Sequence, residues 1–344
     1  MPPLSSPIID EARRRTALVV SRHAATLRNV SHGLGAIDLE VWSAASLDEL
    51  ATIDPTLVVL DLDADPTLDP VNFIDATLAR AGGSSSRTTV VAVAGPGSRR
   101  RLVRALAHPA VAHIIPKAPG FAPDPEAPMQ YLGPDERELY VALHRRESRA
   151  TGVAPYLAGG APVSLAEVGD ATMKDETVAM IVALGERMRL GAEKLRRIEI
   201  LAEELLENAL YDAPTDGQGG RRAERRVART TIHLSPGERV KVRWGSDGRA
   251  FALSVTDPFG SLAKTTLTDH LGKLLAPGGI TPAHGSGGAG LGLVMAYDAA
   301  NQLAFTLSPG RRTEVTAVVD VAGSNRSSLE RGTAVHIYRS DEEP

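Results

Sequence analysis

From residue 15 to about 118, short apolar runs alternate with amphipathic stretches. The runs at 16–20, 39–42, 57–60, 90–94 and 112–115 predict strands. The intervals 23–34, 46–53, 71–81 and 99–107 carry the 3.6-residue period of helices. Strands that alternate with helices in this way predict a parallel sheet covered on both faces, a doubly wound α/β unit. In such sheets functional groups gather at the carboxyl ends of the strands. Residues 1–14 show no period and read as a fraying lead.

The pattern then changes twice. Prolines at 119, 123, 125, 128 and 134 mark a linker, followed by a short helix at 135–147. That helix carries His144, which reads as a surface histidine because Arg145 and Arg146 follow it. From about 162 a helix at 175–190, closed by Gly191, leads into a second at 192–211. Leu195, Ile198, Leu201, Ala202, Leu205, Leu206 and Ala209 fall on one face of the second helix. Runs at 229–234, 239–244 and 250–256 predict a strand meander with a Gly245-Ser-Asp-Gly248 turn, and 265–275 reads as a helix. The glycine-rich stretch 276–287 has the composition of a lid. A helix at 293–303 and strands at 303–308, 313–321 and 333–338 complete an α+β unit. Its helices lie on one face of a mixed, mostly antiparallel sheet. The chain thus divides into 15–118, a linker with a short helix at 119–160, and 161–340.

A length of 344 residues suits two cores, and 43% apolar content is that of a globular protein. The net charge of −4 gives no general attraction to nucleic acid or to anionic membrane. With no cysteine there is no disulfide, thiolate nucleophile or thiolate metal site. No apolar run approaches the ~20 residues of a membrane helix and no signal peptide is visible, so a cytoplasmic location is expected.

Three stretches carry candidate chemistry. Glu204 and Asn208 stand one turn apart at the margin of the apolar helix face, while Glu203 and Glu207 point the other way, towards water. A carboxylate and an amide so placed suit a water and a hard cation such as Mg²⁺, or form a solvated pair. The strand ending at Asp257 runs into Pro258-Phe259-Gly260, where the carboxylate either accepts from a ligand amine or closes an Asx turn. His284 to Leu293 holds five glycines within 285–292 and opens a helix, an arrangement suited to phosphate. The arginines at 221, 222, 225, 226 and 229 form either a solvated loop or a docking patch.

In order and spacing, Glu204-Leu-Leu-Glu-Asn208, Asp257-Pro-Phe-Gly260 and Gly288-Ala-Gly-Leu-Gly-Leu293 resemble the GHKL ATPase superfamily. That superfamily includes histidine-kinase ATPase domains, anti-sigma-factor serine kinases, gyrase and Hsp90-type ATPases. The resemblance spans 162–339 and implies a Bergerat-type fold binding ATP and Mg²⁺. It implies Asn208 for the metal, Glu204 as catalytic base, Asp257 for adenine, and Gly260, Gly288, Gly290, Leu291 and Gly292 around the nucleotide. The family's middle motif is D-x-G-x-G, and here Phe259 and Ser261 stand at its glycine positions. Two paired helices with no phosphoacceptor helix before them are closest in layout to the anti-sigma-factor kinases.

Residues 15–118 resemble a response-regulator receiver, with a flavodoxin-like sheet. Asp61 ends the run that in receivers leads to the phosphoacceptor, and Lys117 stands where the family has its lysine. The acidic pair that holds Mg²⁺ is here Ser21-Arg22, and the Ser/Thr after the fourth strand is Ala94. Arg22 is a candidate for the cation's place, while Asp63 and Asp65 read as loop-solvated. The segment therefore reads as a pseudo-receiver. Two functions follow: an ATP-dependent serine/threonine protein kinase or ATPase in bacterial signalling, or an inactive, nucleotide-gated or nucleotide-free interaction regulator. The expected partner is a protein, either a regulator or a kinase substrate, with a homodimer as a further option.

Overall fold

The computed structural model describes residues 15–35, 37, 39–117, 136–148, 150–215, 232–273, 291–322 and 332–340. The lead at 1–14, the proline-rich stretch, the five-arginine stretch and the glycine-rich stretch at 276–287 lie outside these residues. Strands β1 (Thr16–Val20), β2 (Glu40–Ala44), β3 (Leu57–Asp61), β4 (Thr89–Ala94) and β5 (Val111–Pro116) run parallel in the order β2-β1-β3-β4-β5. That order defines a flavodoxin-like sheet. Alternate residues feed two cores. Leu18, Val58 and Val90 meet α2 (Pro70–Ala81) and α3 (Arg99–Leu106), while Val19, Val59 and Val91 meet α1 (Ala24–Gly35).

Local chemistry sets the ends of α2. Asp69 accepts from the Val71 N–H at 3.0 Å, Pro70 occupies the first turn, and Gly82 closes the helix at φ 78°. The helix expected at 46–53 shrinks to one 3₁₀ turn, Leu47–Glu49. Glu49 turns back to the Ala45 N–H at 2.8 Å, and Asp54, at φ 47°, leaves the helical region altogether before Pro55.

The second half contains β6 (Val163–Val168), β7 (Val240–Ser246), β8 (Ala250–Asp257), β9 (Gln302–Ser308), β10 (Arg312–Asp320) and β11 (Ala334–Arg339). Their order is β11-β9-β10-β8-β7-β6, antiparallel throughout except between β11 and β9. β11 also pairs antiparallel with β5, opposing Val335 to Ile114 and His336 to His113. One sheet of eleven strands therefore crosses both halves. Helices α5 (Ala171–Arg187), α6 (Ala192–Glu207), α7 (Lys264–Gly272) and α8 (Leu291–Ala299) belong to the second half. α6 packs between α5 and α8 and over β8 and β10 through its expected face, Ile198, Leu201, Ala202, Leu205 and Leu206.

Two expectations require correction, and two features go beyond them. No strand forms in the described part of 229–234, where Leu234 donates to the Gly169 carbonyl at 2.8 Å. The place beside β7 belongs to β6, an edge strand with Leu165 62% exposed and therefore no apolar side to betray it. Glu203 and Glu207, with side chains 39% and 35% exposed, are not simply solvated, because both pair with Lys174 of α5. The sheet face away from α6 is also covered, by Val153, Tyr156 and Leu157.

The short helix of the linker region, α4 (Glu136–Ser148), sits between the halves. Leu139 and Leu143 pack with α1, while Arg145 enters the second half. There it donates to Glu314 at 2.6 Å, Tyr156 at 2.5 Å and Thr306 at 3.1 Å. His144 is exposed and stacked on Tyr140. No helix among the described residues is long and apolar enough to cross a membrane.

Candidate functional site

α6 ends in a π turn, Asn208–Asp212, closed by the Ala213 N–H donating to the Asn208 carbonyl at 2.8 Å. Such turns re-aim side chains at the end of a helix and recur at functional sites. Here the turn brings Asn208 and Asp212 onto one cavity of about 210 Å³. Arg197 fixes α6 relative to the end of α8, donating to the Ala299 carbonyl at 2.7 Å and to Asn301 at 3.0 Å.

Asp257 lines the same cavity from the end of β8. Its Oδ1 accepts from Phe259 N–H at 2.9 Å and Gly260 N–H at 3.1 Å, so the Asx turn forms. Burial raises its carboxyl above the usual carboxylate range, outweighing those hydrogen bonds. Phe259 packs against the hydrophobic core and leaves the cavity wall to Ser261 and Leu262. Gly260 is not on that wall. It adopts φ +61°, and a Cβ there would strike the backbone of Ser308, Arg311 and Arg312. Its carbonyl also accepts from Gly310 N–H at 3.0 Å, so its glycine character answers to the β9–β10 turn.

Leu291 and Gly292 open α8. A Cβ on Gly292 would run into Glu204 Oε2 and come within 3.7 Å of Asn208 Nδ2. Three segments distant in sequence therefore converge: Glu204 and Asn208 from α6, Asp257 from β8, and Gly292 from α8. Gly288 and Gly290 lie outside the described residues. Asp212, Thr215, Thr266 and His270 line the cavity as well. The α6 periodicity pointed to Glu204 and Asn208 but stopped short of Asp212, because a π turn shifts the phase. Among the described residues no group of three or more His, Asp or Glu could hold a metal.

The carboxyl ends of β3 and β5 carry a second cluster. Lys117 Nζ meets Asp61 Oδ1 at 2.7 Å and Asp63 Oδ2 at 2.9 Å, with Asp61 and Lys117 fully buried. Ser21 donates to Asp61 Oδ2 at 2.6 Å. Asp63 is no solvated loop residue, since Gly95 N–H at 2.8 Å and Ser98 at 3.1 Å also donate to it. Burial alone would raise the Asp63 carboxyl, yet Lys117, Gly95 and Ser98 together hold it below the usual range. Arg22 is exposed and does not take the cation's place; Lys117 does.

The sequence matches no protein-family model, and no curated protein matches it. Among solved structures, the signal receiver domain of an HD domain-containing protein from Pseudomonas fluorescens is similar at 18% identity and TM-score 0.29. That match covers 40% of this chain and 97% of that one. A chemotaxis response regulator of Vibrio cholerae is similar at 17% identity and TM-score 0.26, covering 38% of this chain and 97% of that one. The β2-β1-β3-β4-β5 order is itself what gives the N-terminal part a receiver-like fold. The ATPase resemblance of the C-terminal half has no counterpart among these findings.

Proposed function

We propose that the C-terminal half binds Mg-ATP in the cavity between α6, β8 and α8, within a signalling protein whose receiver-like half takes no phosphate. The observation that carries the reading is the convergence of Asn208 and Asp257 on one hollow, with Gly292 pressed against Glu204. The donor set fits the ligand. Asp257 offers a carboxylate to an adenine amine, Asn208 an oxygen to a hard cation, and Gly292 a backbone that approaches with no side chain in the way. Bound Mg²⁺ would neutralise charge on the phosphates. Glu204, half-buried one helical turn before Asn208, then accepts the proton of an attacking serine or threonine hydroxyl or of water.

In the N-terminal half, Lys117 already neutralises Asp61, and Ser21 stands where a metal-binding acid is required. That closed cluster favours contact over phosphotransfer. It also motivates the second reading, in which nucleotide occupancy gates a protein partner without turnover.

Incubation with γ-labelled ATP and candidate partners separates the two. Label transfer that Glu204→Ala abolishes, with ATP binding retained, supports the kinase or ATPase. Transfer unchanged by that substitution removes Glu204 from the chemistry. Binding without transfer or hydrolysis selects the gated regulator.

A further inference from the structure

A cavity of about 570 Å³, larger than the one between α6 and β8, is a cleft at the seam of the two halves. One wall is the 85–89 turn and 109–112; the other comes from β9, β10, β11 and Lys264 of α7. Its volume falls in the range of small-molecule sites.

The cleft is strongly cationic. Arg87, Arg145, Lys264, Arg312 and Arg339 line it, with no carboxylate among the described lining residues. Two of the five are spoken for. Arg145 is neutralised by Glu314 at 2.6 Å, and Arg87 reaches Asp54 at 3.2 Å. Arg312 and Arg339 meet no carboxylate among the described residues. They rise from the two strands flanking the end of β9, opposite Ser308 and Leu307 respectively. Lys264 spends its N–H groups on the carbonyls of His108 at 2.8 Å, Pro109 at 3.2 Å and Val111 at 2.5 Å. Carbonyls satisfy its hydrogens, and no carboxylate among the described residues pairs with its charge. Burial, and after it the nearby Arg339 guanidinium, push its ammonium down to about 8. Ser85, Ser86 and Thr88 add hydroxyls to the rim, and Ile337 and Tyr338 add an apolar floor.

We propose that the seam cleft binds a compact, multiply charged phosphate compound, a pyrophosphate or polyphosphate group either free or carried on a small organic body. Two guanidinium forks that meet no carboxylate among the described residues suit phosphate oxygens better than a single carboxylate, which would leave one fork idle. The walls come from both halves, so the ligand bridges them and stabilises their association.

Calorimetric titration with inorganic pyrophosphate, in EDTA and at constant ionic strength, tests the site apart from any magnesium-dependent nucleotide site. Saturable binding is expected, weakened at least about tenfold in Arg312→Gln/Arg339→Gln and unchanged in Arg196→Gln, an exposed residue elsewhere. Absence of saturable binding, or equal weakening by Arg196→Gln, overturns the proposal. In the unsubstituted chain, pyrophosphate should slow amide exchange at 85–89 and 337–340; unchanged exchange there also overturns it. A nucleoside diphosphate in the same buffer assigns the source. Tighter binding than pyrophosphate means an esterified ligand, and equal binding means the free anion.

Discussion

Lys117→Met is the sharpest probe of the receiver-like half. The substitution keeps the apolar stem but removes the ammonium facing Asp61 at 2.7 Å, and Asp61 and Lys117 are both 0% exposed. At an effective dielectric of ~20, the gross attraction at that distance is ~6 kcal/mol, most of which offsets desolvation of the two groups. What the variant loses is the difference left when a buried carboxylate keeps its burial but not its partner, about 3–5 kcal/mol. Asp63 adds to the cost, because its 2.9 Å contact to the same ammonium also goes. For a native stability of about 5–15 kcal/mol, the loss is a large fraction of the whole. Urea unfolding followed by circular dichroism reads it as a lower midpoint at unchanged slope. The companion Asp61→Asn/Lys117→Met removes the stranded charge and should recover at least half of the loss. A loss below about 1 kcal/mol, or a double variant no better than Lys117→Met, would refute the reasoning that Lys117 compensates a dry carboxylate.

Further outcomes follow from the same geometry. Gly292→Ala puts a Cβ where Glu204 Oε2 lies, the free end of a flexible side chain that can swing aside, so stability in urea unfolding should change by less than about 1 kcal/mol while Mg-ATP binding weakens; unchanged binding would separate Gly292 from the ligand. In native protein Lys264 gives up its proton near pH 8, whereas the unfolded chain keeps it to about 10.4. Unfolded protein therefore binds more protons across that window, and stability should rise with pH through it. Lys264→Met removes that increment, and thermal unfolding of the two proteins at pH 7 and 9.5 compares them; parallel profiles would contradict it. Because burial raises the Asp257 carboxyl, ATP binding should decline on acidification at a pH above the ordinary carboxylate range. Titrations from pH 7 down to pH 4.5 check this, and flat affinity would separate Asp257 from the ligand.

How legible each part was in the sequence depended on whether its signal was local. β1, β3 and β4 are short apolar runs bounded by polar turns and alternating with helical stretches, the pattern of buried parallel strands. The α6 face and the stop of β8 at Asp257 were equally plain, since each is written in consecutive residues. β6 was not legible, because an edge strand with both faces partly wet has no alternation to read. The joining of the two halves into one sheet left no local trace either: β11 reads as a strand anywhere, and its pairing with β5 depends on residues more than two hundred positions away. Nothing in the sequence marked Arg145, beside His144, for burial. It is buried because Glu314, 169 residues on, waits in β10. Asp63 escaped for the same reason, its partner Lys117 being 54 residues distant.

The most direct test of a nucleotide site between α6, β8 and α8 is calorimetric titration of the intact chain with ATP, with and without Mg²⁺. Saturable heat that needs Mg²⁺ and falls at least about tenfold in both Asn208→Ala and Asp257→Ala is the predicted result. No heat at millimolar Mg-ATP, or binding indifferent to both substitutions, would contradict it.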